Sequence, residues 1–101
     1  MIRGTTPTHY FGISIDKEHV KDIRVTYRQD NRNIVDRGID SVEIVGNKVK
    51  VALTQQETLA FTAGIKAKVK IRVLSTGGGV FSNRRPVNIE VYDSFNNEVL
   101  T

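Results

Sequence analysis

The sequence contains no cysteine and no tryptophan, and only two prolines and one methionine. Without thiols there can be no disulfide and no thiolate-bound metal, so apolar packing alone must hold the fold, and either redox compartment suits it. Without tryptophan, and with aromatics at 7% of residues, platforms for stacking sugars or bases are scarce. No apolar run approaches the roughly 18 to 20 residues that span a bilayer, and Met1 to Pro7 lacks the hydrophobic stretch of a secretory signal. The expectation is a protein neither exported by such a signal nor embedded in a membrane. Long helical periodicity is missing too. Acidic residues are outnumbered, 11 against 15 Lys and Arg, which leaves a net charge of +4 and makes the placement of the cations the question to ask.

What is present is period-two alternation, dominated by Val and Ile. Phe11, Ile13 and Ile15 share one parity, as do Ile23, Val25 and Tyr27, with the polar turn Asp16-Lys17-Glu18-His19 between them. Asp30-Asn31-Arg32-Asn33 reads as a turn, followed by an irregular strand from Ile34 to Ile39, interrupted by Gly38, that belongs at a sheet edge. Val42 and Ile44, then Gly46-Asn47, then Val49, Val51 and Leu53 predict a hairpin with a type II′ turn. Thr54-Gln55-Gln56-Glu57 has the form of a capping box, with room for little more than one helical turn before Ala63-Gly64. Ile65, Ala67, Val69, Ile71 and Val73 form the longest alternation. It ends at Ser75-Thr76-Gly77-Gly78-Gly79, a hairpin tip, and Val87, Ile89 and Val91 form the last strand. The pattern predicts an all-β chain, an immunoglobulin-like β-sandwich of about seven antiparallel strands with one short helical turn, as a single domain over residues 1–101. The alternative is a small barrel.

Catalytic signals are weak. His9, expected before the first strand, and His19, in a charged turn, are the only histidines, and neither belongs to a nucleophile–base motif or an i, i+4 ligand pair. The carboxylate pairs Asp36 with Asp40 and Asp16 with Glu18 resemble turn residues more than an acid–base couple. Asp30 to Asn33 fails as a calcium loop because Arg32 stands where a ligand oxygen is needed, and Gly77-Gly78-Gly79 lacks the Lys-Ser/Thr and helix of a phosphate loop. The expectation is a non-enzymatic protein with no metal and no cofactor.

Two other features point to binding. Lys66, Lys68, Lys70 and Arg72 occupy the parity opposite Val69, Ile71 and Val73, and Arg84 and Arg85 continue the run without an intervening acid. These six form a candidate face for an anionic partner, which Arg24 and Arg28 would extend and Glu43 and Glu90 would interrupt; the competing explanation is a solvated face whose lysines discourage edge aggregation. The chain ends carry Ile2, Phe95, Val99 and Leu100 outside any strand periodicity. These side chains either close the core or dock on another subunit as an exchanged arm.

The segments Met1-Ile2-Arg3-Gly4-Thr5-Thr6-Pro7-Thr8-His9, Val25-Thr26-Tyr27-Arg28-Gln29 and Leu53-Thr54-Gln55-Gln56-Glu57-Thr58-Leu59 resemble small uncharacterised proteins of tailed bacteriophages and of prophages in Gram-positive gut bacteria. The resemblance implies a virion structural or accessory protein of the tail, baseplate or capsid surface, found in the virion or in the host cytoplasm during assembly. Its partners would be further copies of itself and other virion proteins. Two alternatives accompany it: a carbohydrate or anionic-surface binding module using the loops Asp30 to Asn33 and Ser75 to Asn83, and non-specific nucleic-acid binding through the basic strand face.

Overall fold

In a computed structural model describing residues 1–101, the alternating segments become eight strands. They are β1 (Thr8–Gly12), β2 (Val20–Gln29), β3 (Arg32–Arg37), β4 (Glu43–Val45), β5 (Lys48–Ala52), β6 (Ala67–Ser75), β7 (Val80–Ser82) and β8 (Val87–Ile89). A single helical turn, α1 (Gln55–Leu59), joins β5 to β6. Short 3-10 turns lie at Lys17–His19 and Ile39–Ser41. No helix is long and apolar enough to cross a membrane.

The strands form two antiparallel sheets, a small one in the order β1-β5-β4 and a large one in the order β3-β2-β6-β7, with β8 also on β6. The sandwich expected from the alternation is therefore present. The inward parity of the large sheet supplies Ile23, Val25, Tyr27, Val35, Ala67, Val69, Ile71 and Val73, while Phe11, Ile44, Val49 and Val51 answer from the small one. Burying each of these aliphatic side chains is worth about 1.5–3 kcal/mol. Edge-on ring contacts of Tyr27 with Phe11, at 6.1 Å, and with Phe61, at 6.0 Å, run through the same layer.

Turn chemistry sets the registers. Gly46 has φ of 60° and Asn47 does not enter the positive region, as a type II′ turn requires, and Val45 pairs with Lys48. Thr54 caps α1 by accepting from the Glu57 amide at 3.2 Å, while Glu57 Oε1 accepts from the Thr54 amide at 2.9 Å, completing the capping box. As expected, α1 carries the chain from one sheet to the other, and β3 lies at an edge.

Several boundaries differ from expectation. The turn after β2 is only Asp30-Asn31, with φ of 46° and 63°; Arg32 and Asn33 already belong to β3, because two consecutive left-handed residues suffice to reverse a hairpin. β1 ends at Gly12, one bond short of the turn: the Ile13 amide still donates to the Asn47 carbonyl at 2.8 Å in the same register, and Ile13 and Ile15 lie half-buried beyond the strand. His9 lies within β1 and faces inward rather than preceding it. β8 stops at Ile89, and Val91 is buried beyond it, its carbonyl accepting from the Gly64 amide at 3.0 Å.

Candidate functional site

The outer face of the large sheet follows from the register. Arg28 pairs with Lys68, Thr26 with Lys70 and Arg24 with Arg72; since Tyr27, Val25, Val69 and Ile71 point inward, these polar partners all point out. Thr26, Arg28, Asn31, Asn33, Lys68, Lys70 and Pro86 line a shallow cleft whose wall is polar apart from Pro86. Arg24, Arg28, Lys68, Lys70 and Arg72 have no carboxylate within salt-bridge range, whereas Lys50 pairs with Glu43 and Arg3 with Asp93. Asp22 and Asp36 are the carboxylates of this face, Asp36 accepting from the Thr26 hydroxyl at 3.1 Å on the edge strand.

The two acidic residues expected to interrupt the patch behave differently. Glu43 belongs to the small sheet and does not touch the patch. Glu90 meets Lys66 at 3.6 Å, so Lys66 lies at the patch margin with its charge partnered, and it precedes β6 rather than belonging to it. Arg84 and Arg85 are brought beside Lys70 by Asn83, whose part in the site was not visible in the sequence. Between the β7 and β8 pairings, the Asn83 side chain takes the place of a strand: its Oδ1 accepts from the Ile71 amide at 2.8 Å and its Nδ2 donates to the Val69 carbonyl at 3.1 Å. Lys70 Nζ donates to the Asn83 carbonyl at 2.6 Å and to that of Arg84 at 3.2 Å, and both arginines stay exposed at the corner.

The chain ends form a second surface. Ile2 and Tyr92 form a parallel bridge, with Arg3 N donating to the Tyr92 carbonyl at 3.0 Å and Tyr92 N to that of Met1 at 2.8 Å, so their side chains stand together, 48% and 56% exposed. Thr58, fully buried, donates to the Thr5 carbonyl at 2.8 Å and accepts from the Gly4 amide at 2.9 Å, tying this arm to α1. Gln55 holds Leu100 through its carbonyl and amide at 2.7 and 2.8 Å. The tail is bonded to its own body here, and Phe95 and Leu100 do not close the core: they are 96% and 74% exposed. Val99 is half-buried and adds little surface. Phe95 has φ of 66°, a conformation costing about 1–3 kcal/mol for such a side chain, and Asp93 Oδ1 accepts from its amide at 3.1 Å.

His9 Nδ1 and the Tyr27 hydroxyl lie 2.7 Å apart and join β1 to β2 across the sandwich. Burial pushes the Tyr27 phenol far above its usual range, with Glu57 adding to and Arg37 opposing the shift. The phenol proton has no other acceptor, so it is donated to Nδ1 and the imidazole proton resides on Nε2. Burial, then the N-terminal charge, lowers the His9 pKa. Nearby, Arg37 grips Glu57 with two donors, Nε at 2.9 Å and Nη2, and also donates to the Ser41 and Ala52 carbonyls at 2.8 and 3.0 Å. Burial raises the Glu57 pKa, but Arg37 and the Thr54 amide outweigh it and hold the carboxyl below its ordinary value. These bonds join the sheets and α1.

The remaining candidates do not converge. No three His, Cys, Asp or Glu side chains come together as a metal site, and His19 meets only Glu18, at 3.5 Å on the surface. The loops proposed for carbohydrate lie at opposite ends of the large sheet, since Asp30 follows the Arg28–Lys68 end and Gly77 the Val20–Ser75 end. No protein-family model, curated protein or solved structure matches the chain. Residue roles therefore rest on geometry.

Proposed function

We propose that this chain is a virion structural or accessory domain, of tail, baseplate or capsid surface, that works by association and not by catalysis. The observation that carries the association is Phe95. An almost fully exposed phenylalanine in the left-handed region costs the monomer free energy and returns no intramolecular contact, so its contact is with another molecule. The occupant is a second copy. Phe95 follows the exposed Ile2–Tyr92 pair by three residues, and a two-fold contact would let the exposed ring of each copy meet the other copy's apolar pair. The resemblance of Met1 to His9 and of Leu53 to Leu59 to phage proteins supplies the setting.

Light scattering on the intact chain is expected to give a mass above the 11.3 kDa of one copy. Phe95→Asn, which tolerates positive φ, returns the mass to one copy while its unfolding midpoint stays level or rises. A wild-type mass of one copy up to several hundred micromolar rejects the association.

A further inference from the structure

We propose that the outer face of the large sheet binds the phosphate backbone of double-stranded DNA without reading its base sequence. The placement of Arg28 opposite Lys68 and of Arg24 opposite Arg72 works against the fold, because like charges directly across a sheet repel. The two carboxylates of the face, Asp22 and Asp36, form no ion pair with any of these cations, so the repulsion is not offset locally. Lys68, Lys70 and Arg72 recur at every second residue of β6, about 6.8 Å apart, which sets three like charges in a row along one strand. With Arg24 and Arg28 beside them the cations span four residue steps of each strand, about 14 Å, a footprint that reaches a few phosphates of a duplex and not a whole turn.

The neutral groups narrow the ligand further. Asn31 and Asn33 offer amide donors beside the cations, the complement that phosphate oxygens accept. Pro86 is the one apolar side chain of the cleft wall, too little to form the core of a protein–protein contact, and there is no aromatic ring to stack a sugar or an unpaired base. Asn83 holds the corner that carries Arg84 and Arg85 against the same face. This site is separate from the apolar chain ends and does not depend on association through them.

The test is anisotropy of a labelled 20-base-pair duplex titrated with the intact chain between 50 and 200 mM salt. About four phosphate contacts predict a slope of about −3.6 in log K against log salt, a loss of roughly 150-fold over that range. The double variant Lys68→Gln/Lys70→Gln is expected to lower that slope by about 2 and weaken binding at least tenfold at 50 mM salt. Circular dichroism at the working salt checks that the variant stays folded, since Lys70 also donates to the Asn83 and Arg84 carbonyls. Lys17→Gln/Lys48→Gln, which removes the same charge from exposed positions off this face, leaves the slope near the wild-type value. Absence of binding at 50 mM salt overturns the proposal. So does equal weakening by both double variants, tighter binding of a single strand than of the duplex, or saturable binding of a heparin fragment where the duplex does not bind.

Discussion

At the scale of single residues, two partly buried polar groups couple stability to pH. His9 and Glu57 both have folded-state pKa values below their unfolded ones, so in each case the unfolded chain takes up the proton first as the pH falls. The stabilisation from His9 is fully present above its unfolded value of 6.5 and is lost as the pH drops through the lower folded value. That from Glu57 is present above 4.5 and is lost in the same way further into acid. Stability measured by denaturant unfolding is expected to fall in two acid steps; His9→Gln removes the upper one and Glu57→Gln the lower. Neither environment was legible in the sequence. The capping box identified Glu57 as a helix-start residue, but its grip on Arg37, twenty positions away, depends on how β3 folds over α1.

At the scale of elements, local chemistry was largely legible. Gly46-Asn47 predicts its own turn, Thr54 to Glu57 its own cap, and the alternation of β6 its two faces, because each signal is carried by residues adjacent in the chain. The long connection from α1 to β6 is different. Gln29, buried at the end of β2, donates to the Thr62 and Ile65 carbonyls at 2.9 and 2.7 Å and accepts from the Thr62 amide at 2.8 Å. A polar residue at an inward position of a strand gives no hint of such partners. Gln29→Met keeps the volume but leaves three backbone groups of the connection unpaired. The expected loss is about 2–3 kcal/mol in urea unfolding, with strands β2 and β6 retained by circular dichroism.

At the scale of the whole molecule, the sandwich separates two surfaces of opposite character. The chain ends collect exposed apolar side chains, while the outer face of the large sheet collects cations that repel one another. Their responses to salt should therefore diverge. Raising salt screens the net charge of +4, so the mass from light scattering is expected to hold or rise between 50 and 500 mM salt, while duplex binding decays over the same range. A mass that falls with salt would assign the association to ion pairs instead of Phe95.

The sequence by itself determined the class of fold, the strand faces and the turns, because side-chain period, capping and left-handed turn residues act over a few neighbouring positions. It also marked Lys68, Lys70 and Arg72 as residues of a solvent-facing parity, while leaving Phe95 open between core and surface. Only the tertiary structure decided how these residues are grouped. Pairing β2 with β6 set Arg28 against Lys68, the Lys66–Glu90 contact moved one lysine to the margin, and Asn83 turned the Arg84-Arg85 corner onto the same face. Cross-strand register and sheet order join residues forty or more positions apart, and no local pattern encodes that pairing.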